Sequence, residues 1–255
     1  VGMDKFPFFD AVYGKLKEIF PDFDNLERDY KNYYFIKFLL SPDYFDYANK
    51  PKGVLPFHKY KTHIATAAEE HLHECAYYAS SNGVSNLHFT VSEAHQSQFE
   101  SIIDTVKSEM EKESGTVINT SYSFQNKSTD TIAVDLKNNP FRDKNDKLLF
   151  RPGGHGALIE NLDNLDADIV FIKNIDNVIQ NHIESIALYK KTLAGVLVEL
   201  QQKVFKYLNG IDEGNVKHLD EIIDFVKNEL NIGVNDGFSK YTSENKISYL
   251  KELLD

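Results

Sequence analysis

The sequence predicts an α/β protein: a mostly parallel mixed sheet with helices on both faces, plus helical additions before and after it. Three observations lead there. Strand-length segments alternate with segments of helical period from about residue 51 to 180. The stretches on either side are helical in pattern. One run, "ADIVFIKNI" at 167–175, is apolar enough to read as a strand buried on both faces.

Taken in order, "FPFFDAVYGKLKEIF" (6–20) and "DNLERDYKNYYFIKFLLS" (24–41) read as amphipathic helices, the second with Asp24 as its N-cap. "GVLPF" (53–57) is a short strand, and "TAAEEHLHECAYYAS" (66–80) is a helix stopped by Asn82-Gly83. "SNLHFTVS" (85–92), "AHQSQFESIIDTVKSEMEK" (94–112) and "VINTSYSF" (117–124) follow as strand, helix and strand. A helix-like run, 157–162, comes after the glycine-rich stretch. From 184 the chain turns helical, through "ESIALYKKTLAGVLVELQQKVFKYLNG", ending at Gly210, then "HLDEIIDFVKNELN" and "SENKISYLKELL". Neither internal repeat nor low-complexity tract is evident. The division expected is 1–50 as a helical region inserted after a first strand and loop not contained in the sequence, 51–210 as the α/β core, and 211–255 as a helical extension. The start at Val1 and the stop directly after an apolar helical pattern suggest a piece of a longer protein.

Composition narrows the functional classes. The 255 residues carry a net charge of −11, which argues against a nucleic-acid surface but leaves room for local phosphate contacts. No run approaches the roughly 20 apolar residues needed to span a bilayer, so no membrane partner is expected. One cysteine, Cys75, cannot form an internal disulfide, and a reducing cytoplasm is the expected location.

In open α/β sheets, ligands bind at the carboxyl ends of strands. Four such places carry informative residues. "KPKGVLPFHKY" puts Lys52 directly before a short strand; "SFQNKSTDTIAVD" puts Gln125 just beyond another. "RPGGHGALIENL" supplies a loop of Gly153, Gly154, His155 and Gly156, either an ordinary turn or a place where backbone comes close to something. "VFIKNIDNV" ends an apolar run in Asn174, Asp176 and Asn177. A carboxylate flanked by amides at a strand end suits Mg²⁺ bound to phosphate oxygens. Each feature also has a plainer reading: Lys52 as a surface lysine, Gln125 as a solvent-facing strand end, Asp176 as a turn former. "EEHLHEC" (69–75) places His71 and Cys75 on one helical face, but without a second ligand pair it reads as a structural helix.

The order of these four motifs resembles that of the UDP-sugar pyrophosphorylases, nucleotidyltransferases that join UTP and a sugar 1-phosphate. It resembles more closely a bacterial family of unknown function that shares the motifs, over about residues 45–210. The resemblance implies a nucleotide-diphospho-sugar transferase fold. It further implies that the Gly153, Gly154 and Gly156 backbone lies against uracil and ribose, with Gln125 on the base edge and Asn174 beside the nucleotide. His155 would face the phosphates or sugar, Lys52 the α-phosphate, and Asp176 would hold Mg²⁺. UTP and a sugar phosphate would be the ligands, pyrophosphate the product. Two departures stand out. No Gly-x-Gly-x-x-Arg loop for the triphosphate precedes Lys52, and Ala157 stands where many uridylyltransferases carry a polar residue. Three functional readings follow: a sugar-nucleotide-forming enzyme or its central part, a non-catalytic nucleotide-binding domain of that fold, and an interaction module using the terminal helices.

Overall fold

The computed structural model describes residues 2–214 and 219–255. The chain divides into two compact units, the first ending at Ala187 and the second running Leu188–Asp255.

The first unit opens with a helical pair, α1 (Phe9–Ile19) and α2 (Arg28–Leu40). Val12 and Leu16, one turn apart on α1, are fully buried against Phe23, Phe35 and Phe38. Aromatic stacking extends this core, with Phe9 on Phe35 at 5.6 Å and Phe38 on Tyr44 at 3.7 Å. Asp24 does not cap α2, as the sequence suggested. That helix begins at Arg28 behind Glu27, and Asp24 sits in a short 3-10 turn where it accepts from Lys17 Nζ at 2.5 Å and from the Tyr13 hydroxyl. Charge pairing with α1 has taken the side chain that a cap would have used.

Next come β1 (Pro56–Lys59) and β2 (Ile64–Thr66), an antiparallel hairpin. The strand expected over 53–57 begins only at Pro56 and runs on to Lys59, because Lys52–Val54 form a 3-10 turn. Helix α3 (Ala67–Tyr78) starts with a capping box, Thr66 Oγ1 accepting from the Glu69 amide and Glu69 reaching back to the Thr66 amide. Asn82 and Gly83, expected to stop this helix, instead make the two-residue turn between β3 (Ser80–Ser81) and β4 (Val84–Thr90). Both have positive φ, 51° and 76°, which suits a tight hairpin.

The largest ladder joins β4 to β5 (Val117–Ser123), parallel and in register from Val84↔Val117 to Thr90↔Ser123. The crossover is α4 (Gln96–Ser114), closed by Gly115 in the left-handed conformation at φ 65°. This is the βαβ unit the sequence predicted. Leu72 and Cys75 of α3, Phe89 of β4, Phe99 and Ile103 of α4, and Ile118 of β5 form one core. Both helices therefore pack on the same face of the pair, which corrects the expectation of helices on both faces. The other face carries polar partners across the ladder: Asn119 donates to Asn86 at 3.0 Å, and His88 bonds Ser121 and Ser123 at 2.8 Å each.

The sheet is smaller and less parallel than expected. Among the described residues β3-β4-β5 is three-stranded with one parallel pair, and the other two sheets are two-stranded and antiparallel. The strand expected at 167–175 pairs with no neighbour among the described residues: Ile172 is 74% and Val170 39% exposed, whereas Lys173 is largely buried. Its anchors are side chains of α3, described below, in place of a neighbouring strand.

Between β5 and the glycine loop lies an arm that the sequence did not show. β6 (Thr131–Ile132) pairs with β7 (Phe150–Arg151), and a third segment around Phe141 closes the set. The Ala133 amide donates to the Leu149 carbonyl, Leu149 to Phe141, and Phe141 back to Ala133, at 2.8–2.9 Å. The intervening turns repeat one design. Asp135 Oδ1 accepts from the amides of Lys137 and Asn139, and Asp143 Oδ1 from those of Asn145 and Lys147. Asn138 and Asp146 take positive φ in turn. After the arm, residues His155–Leu158 form a 3-10 turn that leads into α5 (Ile159–Asp163), matching the helix-like reading of 157–162.

The second unit takes its residues of α6 (Ile183–Asp212) from Leu188 onward. Leu200, Val204, Tyr207 and Leu208 of α6 pack on Ile222, Phe225, Val226, Phe238, Leu250 and Leu254. These come from α7 (Leu219–Asp224), the π-helical turn Phe225–Glu229 that continues it, a 3-10 turn, and α8 (Ser243–Leu254). His218, first residue of the helix read at 218–231, lies outside the described residues. Helix α6 runs two residues past the expected stop at Gly210. Among the described residues, no helix is long and apolar enough to cross a membrane.

Candidate functional site

Two of the expected site residues, far apart in sequence, meet directly. Lys52 Nζ donates to Asp176 Oδ2 at 2.6 Å, with both side chains well exposed. The Lys52 ammonium holds the Asp176 carboxyl below the usual carboxylate range. Each partner stands on a fixed base. Gly53, beside Lys52, is buried against α4: a Cβ on it would lie 2.4 Å from Phe99 Cζ and 3.0 Å from Ile175 Cγ1. Here glycine is required by close packing, with Phe99 and the residue before Asp176 filling the space a side chain would take. Asp176 is a central residue of a turn closed by the Asn177 amide on the Asn174 carbonyl at 3.0 Å. Asn174 thus serves the turn through its backbone, and its side chain is exposed.

A second pair forms around the glycine loop. A Cβ on Gly153 would stand 2.9 Å from the Thr129 carbonyl oxygen and 3.7 Å from Gln125 Nε2. Gln125 lies two residues beyond β5, as expected, and its amide donates to Asp130 at 3.3 Å. Asn161 of α5 donates to Ser123 Oγ and to the Phe124 carbonyl, 2.8 Å each, tying the helix after the glycine loop to the end of β5. Gly154 and Gly156 differ from Gly153: nothing stands within 4 Å of a Cβ on either, and neither has positive φ. The fold gives no reason for glycine there. His155 opens the exposed 3-10 turn, and among the described residues no hydrogen bond links it to Lys52 or Asp176.

Both pairs lie by the carboxyl ends of the parallel strands. Gln125 follows Ser123 at the end of β5. The Lys52 turn rests on Phe99, whose ring is 5.5 Å from that of Phe89 near the end of β4.

Sequence reasoning missed the residues that anchor this edge. Three polar side chains of α3 are buried: Glu70, His71 and Glu74. Glu70 Oε1 accepts from the Tyr60 hydroxyl and bonds His58 Nδ1, 2.7 Å each, fixing the hairpin that follows Lys52. Glu74 pairs with Lys173 Nζ, takes the Ile179 amide at 2.7 Å and accepts from the Tyr78 hydroxyl at 3.0 Å. Burial alone would raise the Glu74 carboxyl, but those partners outweigh it and hold it below its ordinary value. His71 is held below its ordinary value by burial and then by the Lys173 charge. As a neutral ring it donates from Nε2 to the Ile175 carbonyl at 3.1 Å. The "EEHLHEC" helix is thus structural in the sense the sequence suggested, with its polar groups spent on neighbouring loops. Lys173 was the available signal, since a lysine at an inward position of an apolar run needs a buried carboxylate.

The fold and the site define an α/β domain with polar and charged residues gathered at the carboxyl edge of a parallel strand pair. Over residues 1–255 the chain matches the family described as domain of unknown function (DUF4301), and it belongs to that family. Comparison with curated proteins and with solved structures gives no match.

Proposed function

We propose that this chain is the nucleotide-handling part of a sugar-1-phosphate nucleotidyltransferase of the UDP-sugar pyrophosphorylase kind, with the corresponding fold as its evolutionary frame. The observation that carries the reading is the Lys52–Asp176 pair, a cation and a carboxylate brought together by the fold beside parallel strand ends. The position of Gln125 beside Gly153, and the glycines at 154 and 156 that packing does not demand, support it.

In this reading Gln125 bonds the base edge, while the backbone at Gly154 and Gly156 lies against the nucleoside with no Cβ to obstruct it. Lys52 would leave Asp176 for an α-phosphate oxygen and stabilise charge developing there as a sugar phosphate oxygen attacks in line and pyrophosphate departs. His155 on its exposed turn would face the phosphates or sugar, and Asn174 would keep the Asp176 turn in shape. Asp176 offers one hard oxygen donor, which fits Mg²⁺ because that ion takes few protein carboxylates and draws its other ligands from phosphate and water. Among the described residues no cluster of three or more acidic, histidine or cysteine side chains offers a fuller cage. Mg²⁺ would supply neutralisation of phosphate charge; the protein groups supply placement.

Calorimetry with UTP, Mg²⁺ and a panel of sugar 1-phosphates tests this. Binding of Mg²⁺–UTP that is lost in Asp176→Asn supports the reading, and no binding of any nucleotide by the native chain would end it.

A further inference from the structure

The exposed Lys52–Asp176 pair is too weak to order two loops by itself, since ion pairs in water contribute little. Its geometry must be imposed by what lies beneath. On the Lys52 side this is Gly53 against Phe99. On the Asp176 side no strand partner is available among the described residues, and α3 takes that role. Glu74 holds Lys173 before the turn and the Ile179 amide after it, while His71 holds the carbonyl of Ile175 immediately before Asp176.

Burial alternates over 171–176: Phe171, Lys173 and Ile175 are partly buried, while Ile172, Asn174 and Asp176 are exposed. Lys173 and the Ile175 carbonyl are held by α3, and Asn174 and Asp176 are left on the outer side. A slip of one residue would bury the carboxylate and leave Glu74 without its cation. We infer that Glu74 and His71 are positioning residues for Asp176: buried groups that touch no ligand and set the register in which the carboxylate meets Lys52. The use of that register in phosphate chemistry rests on the proposed function; the register itself does not.

The test reads Lys52 directly and uses no nucleotide. With the Asp176 carboxylate seated on its Nζ at 2.6 Å, Lys52 is shielded, and it should react slowly with an amine-selective acylating reagent, as followed by peptide mass spectrometry. Asp176→Asn sets the free rate, expected several-fold faster. The double variant Glu74→Leu/Lys173→Met keeps the buried charge balanced while removing the hold on both Lys173 and the Ile179 amide; His71→Leu removes the contact to the Ile175 carbonyl. In each variant, with circular dichroism showing the fold retained, Lys52 should label near the Asp176→Asn rate while Lys112 on α4 stays unchanged. Native-rate labelling of Lys52 in both folded variants would overturn the inference. Absence of nucleotide binding by the native chain, with fast Lys52 labelling in both folded variants, would count against the functional reading alone.

Discussion

Gly53 and the Phe99 ring compete for one space: a Cβ on the glycine would lie 2.4 Å from the ring's Cζ and within contact of Ile175. Gly53→Ala should therefore overpack the core and cost about 1–3 kcal/mol, read as a lower urea midpoint.

Gly154→Ala and Gly156→Ala meet open space in ordinary backbone conformations, and their stability should stay within about 0.5 kcal/mol of the native chain. If the loop lies against a nucleoside, the same substitutions weaken UTP binding at least several-fold. A calorimetric titration beside each melting curve separates the two effects.

Glu74→Gln strands the Lys173 ammonium in the interior and should cost about 3–5 kcal/mol, the penalty for breaking one side of a buried pair. Adding Lys173→Met removes the stranded charge and should recover much of that loss. A double-mutant cycle in urea checks both, and additive losses would contradict it.

Acid should weaken the first unit in two stages. His71 is held neutral in the fold but takes a proton when unfolded, so stability falls as pH drops below about 6.5. Glu74 is held ionised below its ordinary value, so its contribution is present above about pH 4.5 and is lost as pH falls through its lowered value. Urea midpoints measured from pH 8 to 3 should decline in both windows, and His71→Leu should flatten only the upper one.

Lys52→Met should leave the melting temperature nearly unchanged, because the pair it breaks is solvent-exposed. Under the proposed function, the same change lowers Mg²⁺–UTP affinity tenfold or more. A parallel fall in both quantities would mean the lysine is there for the fold.

The βαβ unit was legible because periodicity alone separates the helix at 94–112 from the strands on either side. Gln125 just beyond its strand was legible from the βαβ pattern. Lys52 does meet Asp176, but neither residue ends a parallel strand, so their meeting came from packing against α3 and α4. The 167–175 segment misled because an apolar run reads as a doubly buried strand without naming what covers it; its anchors, Glu74 and His71, lie about a hundred residues earlier. Nothing local marks a helical glutamate as the receptor for a distant amide. Asp24 misled for a similar reason, as a lysine one helix away outbid the cap position.

The arm between β5 and the glycine loop bears on a different hazard. Ile132, Val134, Phe141 and Phe150 are exposed on or beside short paired segments, a pattern that invites strand addition from other molecules. The Ala133–Leu149–Phe141 cycle gives each segment two neighbours at its middle rung, so the ring has neither a first nor a last member. At that rung the three amides and three carbonyls satisfy one another, so the arm displays apolar side chains there without leaving those backbone groups free for another strand.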